Sequence, residues 1–131
     1  MSDDDEGLSV DAAEVSLLSD EYEAALMRND LDAMNAAFWD SPAVLRFGIS
    51  DMQFGFDDVV AWRRSATPVS ADRWTITKTV LALAPGVVAV DLTFQNGHAP
   101  MLGRQSQTWV RRPEGWRIAR AHVSVIQALR E

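Results

Sequence analysis

The second half of the chain constrains the fold most. After Ser70 it reads as four β-rich runs, about 73–83, 87–95, 101–112 and 115–126. The breaks between them are Pro85-Gly86, Asn96-Gly97 and Pro113-Glu114-Gly115. Proline and glycine supply the backbone angles of tight turns, and Asn-Gly is the strongest short hairpin signal. Four long strands joined this way form an antiparallel meander. A sheet of this kind must bury one face, so the rest of the chain has to supply a cover.

The first half supplies helices. Val15, Leu18, Tyr22, Ala25, Leu26 and Asn29 follow helical spacing on one face, which predicts a helix over about 10–28. Ser9 reads as its N-cap, with Asp11 and Glu14 near the positive end of the dipole. Asp30 caps a second, short helix through Leu31, Met34, Ala37 and Phe38, and Ser41-Pro42 ends it. Ala43 to Phe47 reads as a short strand, and Met52 to Phe54 as another. A third helix opens at Asp57 or Asp58, carries Val59, Val60 and Trp62, and ends near Ala66. The expected class is therefore α+β, with a curved antiparallel sheet wrapped around N-terminal helices. Such a sheet leaves a cleft at its open end, a usual place for a small ligand.

Composition narrows the function. The chain has 131 residues, the size of one domain, and 47% of them are hydrophobic. Residues 1–8 read as a disordered acidic tail, and 9–131 as a single domain. Asp3, Asp4, Asp5 and Glu6 carry much of the net charge of −7. The charge balance supplies no basic face for nucleic acid, and no apolar run reaches the length of a membrane span. The acidic start is unlike a signal peptide, so a cytoplasmic location is expected. With no cysteine in the chain, thiolate zinc sites and thiol nucleophiles are excluded. No phosphate-loop or zinc motif occurs either, so neither a metal nor a cofactor is expected.

Two stretches carry a family resemblance. One runs from Tyr22 through Arg28 to Asp30, then Phe38-Trp39-Asp40 and Val44 to Gly48. The other is Gly103 to Val110, followed by Gly115-Trp116-Arg117-Ile118 and Ala121-His122-Val123-Ser124. Together these resemble the AtzH-like and HpxZ-like proteins of the SnoaL-like, or nuclear transport factor 2-like, superfamily. The resemblance spans about residues 9 to 126. It implies a cone-shaped fold and a homodimer formed through the outer face of the sheet. It also implies a role in the breakdown of small acidic ureides, such as oxalurate or the carboxylated ureas of s-triazine ring opening, often beside an amidase.

Several side chains are candidates for chemistry. A three-residue loop at Pro113-Glu114-Gly115 would pair Arg112 with Trp116, Thr108 with Arg120, Ser106 with His122 and Arg104 with Ser124. That register gathers Arg104, Ser106, His122 and Ser124 on one face. A four-residue loop would instead bring Gln105 and Gln107 opposite His122 and Arg120. His122 is either an acid–base group or a core or interface histidine, and His98 lies beside the Asn-Gly turn. Tyr22, the only tyrosine, can join the core and still present its hydroxyl to a pocket. Arg46 stands inside an apolar strand, where a guanidinium needs either a protein carboxylate or a substrate carboxylate. Arg63 is a further pocket candidate, and Trp39 could line the mouth. The expected function is a cofactor-free enzyme acting on a small dianionic ureide, with Tyr22 or His122 moving a proton and decarboxylation ranked above amide hydrolysis. The alternatives are a non-catalytic ureide-binding partner of an amidase and an interaction protein with a vestigial pocket.

Overall fold

The computed structural model describes residues 3–97 and 100–127, with the side chains of Asp3 and Asp4 excepted. Three helices precede the meander: α1 at Asp3–Met27, α2 at Leu31–Ala36 and α3 at Phe56–Ser65. Two short strands, β1 (Leu45–Phe47) and β2 (Met52–Phe54), lie between α2 and α3. The long strands are β3 (Arg73–Ala84), β4 (Val87–Asn96), β5 (Met101–Arg112) and β6 (Gly115–Gln127). All six form one curved, unclosed sheet in the order β2-β1-β6-β5-β4-β3. The sheet is mixed, because β1 runs parallel to β6 and places Arg46 beside Ala121. The core packs Val15 and Ala25 of α1, Phe38, Val44 and Val59 against Val88, Val90, Trp109 and Ile118 of the sheet.

The first helix differs from its expected start. It includes residues 3–8, so the acidic stretch is helical rather than a disordered tail, and Ser9 lies inside the helix rather than capping it. Acidic residues in a first turn suit the positive end of the dipole. Asp11 is consequently well inside the helix and acts across the fold. Its carboxylate accepts from the N–H of Gly86 in the β3–β4 turn at 2.9 Å and pairs with Arg111 of β5. Glu14 similarly accepts from the indole Nε1 of Trp116 at 2.7 Å. These two carboxylates fasten α1 to the end of the sheet where the β3–β4 and β5–β6 turns lie.

The second and third helices start for local reasons. The Asp30 side chain accepts from the N–H of Ala33 at the start of α2, which holds its carboxyl below the usual range. In α3 the N-cap is Gly55, with φ of 97°, and Asp58 reaches back to accept from the N–H of Phe54 at 2.9 Å. The helix therefore opens at Phe56, just before the expected aspartates.

The β5–β6 hairpin reaches the expected pairing by a different route. Arg112 pairs with Gly115 and Arg111 with Trp116, so the loop is Pro113-Glu114 alone. Between Thr108–Arg120 and Trp109–Ile118 the register shifts by one residue, leaving Ala119 as a bulge. Beyond the bulge Ser106 pairs with His122 and Arg104 with Ser124, as a three-residue loop would have given.

Gly103 is required by packing. A Cβ at this position would lie 2.2 Å from the ring of Phe94, the residue paired with it on β4. The same ring carries the Arg73 guanidinium 3.7 Å from its centroid. The expected result for Gly103→Ala is a loss of about 1–3 kcal/mol from overpacking, read as a lower midpoint in urea unfolding.

Candidate functional site

The inner face of the sheet and the helices enclose a cleft of about 630 Å³. Tyr22 and Leu26 of α1, Met34 of α2 and Phe38 form one wall with Arg63 of α3. Phe94, Gln105, Gln107, Ala121 and Val123 form the sheet side. Residues 49–51 and 65–70 border it as well.

Three arginines reach this space, and they differ in what holds them. Arg46 donates through Nη1 to Asp51 Oδ1 at 2.6 Å and to Gln53 Oε1 at 2.8 Å, while Gln53 Nε2 donates to the same Asp51 oxygen at 3.0 Å. Its guanidinium lies 3.7 Å from the centre of the Trp62 ring. Burial lowers the pKa of Arg46, and the charge of Arg63 pushes the same way, while Tyr22 and Asp51 oppose the shift. Arg73 pairs with Glu23 Oε1 at 2.7 Å and donates to Gln105 Oε1 at 3.4 Å. Gln105 Nε2 closes that group on Glu23 Oε2 at 3.0 Å. Each of these two arginines thus sits in a group with one carboxylate and one glutamine, stacked on an aromatic face.

Arg63 has no such carboxylate. It is only 4% exposed, yet it makes no ion pair with any carboxylate among the described residues. Its Nε donates to Asn35 Oδ1 at 2.8 Å, its Nη1 points at the Met34 sulfur at 3.2 Å, and its Nη2 donates to the Tyr22 hydroxyl at 3.4 Å. A buried cation satisfied only by neutral groups is expensive to maintain and is an attractive seat for an anion. The Tyr22 ring meets Phe38 edge-on at 6.0 Å, which fixes the hydroxyl beside Arg63.

Of the residues singled out in the sequence, Tyr22, Arg46 and Arg63 come together in the cleft. Arg46 has a protein carboxylate, contrary to the condition under which its charge would await a substrate alone. Arg104, Ser106, His122 and Ser124 do share one face, with Arg104 Nε donating to Ser124 Oγ at 3.2 Å, but it is the outer face. His122 is exposed there and packs edge-on against Phe47 at 5.8 Å. The bulge is the cause. Trp116 and Ile118 point inward, and in an unbulged strand of the same sequence the even positions would continue inward; past Ala119 the inward residues are Ala121 and Val123. Trp39 is also outside the cleft. The chain is extended at Phe38, which bridges Ile118, so Phe38 turns inward and Trp39 packs under Arg112 at 4.5 Å. His98 lies outside the described residues.

The sequence reading missed Gln105, Gln107 and Arg73 as cleft residues and Glu23 as the carboxylate that holds Arg73. A signal for the glutamines was present. Trp109 reads as a core residue, and strand alternation puts Gln107 and Gln105 on its side. No cluster of three or more potential metal ligands occurs among the described residues.

A family model described as AtzH-like matches residues 8–128. The chain belongs to the AtzH-like family. Solved structures agree with this. A cystatin-like fold protein from Burkholderia xenovorans is 40% identical, covering 91% of this chain and 93% of its own, with a TM-score of 0.85. A protein of unknown function from Pectobacterium atrosepticum is 30% identical over 88% of this chain and 91% of its own, with a TM-score of 0.84. A ketosteroid isomerase-like protein from Erwinia carotovora atroseptica shares the fold at 20% identity, with a TM-score of 0.73 and coverage of 88% and 96%. No curated protein matches the AtzH-like chain. No helix among its described residues is long and apolar enough to cross a membrane.

Proposed function

We propose that this AtzH-like protein binds a small dianionic ureide in the cleft and releases CO2 from an N-linked carboxylate without a cofactor. The observation that carries the reading is the buried Arg63 guanidinium, which has no carboxylate partner among the described residues and touches the only tyrosine. Arg63 anchors one substrate carboxylate. Arg46, whose Nε and Nη2 make no hydrogen bond among the described residues, assists from across Trp62. The N-linked carboxylate lies against Leu26, Met34, Phe38 and Val123. A carboxylate that is becoming neutral CO2 loses least in apolar surroundings.

The chemistry balances with the chain's own groups. The bond between nitrogen and the carboxylate carbon breaks, CO2 leaves, and the electron pair stays on nitrogen in conjugation with the urea carbonyl. The Tyr22 hydroxyl gives that nitrogen a proton, and water restores the tyrosine. Arg63, 3.4 Å from the phenol oxygen, stabilises the transient phenolate. Hydrolysis is disfavoured, because it needs a free base to activate water, and both Asp51 and Glu23 are tied to arginines.

The test is turnover. Protein is mixed with a freshly generated N-carboxylated urea, and CO2 release is followed against the uncatalysed rate. Acceleration supports the reading. Binding without acceleration transfers it to a carrier serving a neighbouring amidase, and no binding overturns it. Arg46→Lys should keep the charge while losing the flat stacking on Trp62, weakening ureide binding about tenfold by isothermal titration.

The outer face leads to a second expectation, a homodimer. Leu81 and Leu83 on β3 and Met52 and Phe54 on β2 are all exposed at opposite edges of that face. Two copies packed face to face would cover them. Sedimentation at micromolar concentration is expected to show a dimer.

A further inference from the structure

Three glutamines line or support the cleft, and two of them are closed off. Gln53 accepts from Arg46 and donates to Asp51, and Gln105 accepts from Arg73 and donates to Glu23. Gln107 is different. Its Oε1 accepts from the indole Nε1 of Trp109 at 3.0 Å, and its Nε2 makes no hydrogen bond among the described residues. An indole nitrogen can only donate, so this contact settles which end of the Gln107 amide is oxygen. Trp109 is fully buried and cannot turn away. The amide N–H groups are therefore held facing the cleft that Gln107 lines. Gln107 is only 5% exposed, yet among the described residues no buried side-chain nitrogen lacks both a partner and access, so the free end is reachable from the cleft.

We propose that Gln107 reads the carbonyl of the bound ureide, donating an N–H from Nε2 to the urea oxygen. The assignment rests on the carboxylated-ureide reading and adds what distinguishes a ureide from any other small carboxylate. A buried donor without a partner favours a ligand that brings an acceptor and penalises one that leaves it unpaired. The contact gains strength during the reaction, because the electron pair left on nitrogen spreads to the same oxygen. Gln107 is thus a specificity residue that touches substrate, and Trp109 is a positioning residue that acts through it.

The test compares two anions by isothermal titration: N-carbamoylglycinate, which carries a urea carbonyl, and pentanoate, which is of similar length and carries none. The parent protein is expected to prefer the ureide by about tenfold or more. Gln107→Met keeps the volume and removes the donor, so the preference should fall towards unity while pentanoate affinity stays within about twofold. Trp109→Phe, which frees the Gln107 amide to flip, should reduce the preference in the same direction. If Gln107→Met does not fold, Gln107→Glu retains the acceptor for Trp109 and reads out the same preference. An unchanged preference in the folded Gln107 variant overturns this assignment alone. Failure of the parent protein to bind either anion overturns the carboxylated-ureide reading and this assignment with it.

Discussion

Tyr22→Phe is expected to slow CO2 release by about 10²–10⁴-fold, the range for loss of a positioned general acid. Ureide affinity should change little, because the phenol oxygen is placed at the reacting nitrogen rather than at the anchoring carboxylate. The variant should fold, since the ring keeps its edge-on contact with Phe38 and loses only a long hydrogen bond of 3.4 Å from Arg63. The measurement is single-turnover CO2 release with substrate in deficit, alongside binding of a stable ureide. A variant that retains a third or more of the parent rate would remove Tyr22 from the chemistry.

Arg63→Met should separate affinity from stability. Binding of a carboxylated ureide is expected to weaken by at least about 30-fold, since removing one member of a buried charge pair costs 2–5 kcal/mol. The ligand-free protein should nevertheless melt no lower than its parent. Its guanidinium is buried beside neutral partners, so methionine removes a desolvation penalty together with the hydrogen bonds to Asn35 and Tyr22. Differential scanning calorimetry and titration on the same sample would check both halves. A large fall in melting temperature would mean that Arg63 supports the fold rather than a ligand.

Local chemistry made most of the elements readable. Asn96-Gly97 and Pro85-Gly86 each end a strand where expected, and Asp30 caps α2 as its side chain suggests. Met52 to Phe54 and the four long strands fall within a residue or two of their expected limits. What was hidden depends on distant partners. Nothing in the Val44–Phe47 run announces that β1 will lie parallel to β6, because parallel pairing leaves no turn signature. Asp11 and Glu14 looked like helix-terminal charges, and only the folded sheet brings Gly86, Arg111 and Trp116 to meet them.

The candidate site divides in the same way. Arg46, Arg63 and Tyr22 could be found because a charge or a phenol among apolar neighbours is conspicuous in one dimension. Asp51, which neutralises Arg46, sits in a turn where aspartate is unremarkable. The His122 group was read with the correct partners, and the structure puts their shared face outside the cleft. A loop one residue shorter than expected and a bulge one residue long offset each other in pairing, but only the bulge changes facing.

The bulge at Ala119 also makes β6 a strand with two reading frames. Up to Ile118 its even residues face inward to the core, and from Ala121 onward its odd residues face inward and line the cleft. Straightening the strand there with every residue kept would slide its far half by one position and present His122 and Ser124 on the face where Ala121 and Val123 now lie, whereas deleting Ala119 would leave those two facing inward. An imidazole and a hydroxyl would replace two inert aliphatic groups, with no substitution anywhere in the chain. Within this architecture, one bulge decides whether a hydrophobic wall or an acid–base one faces inward.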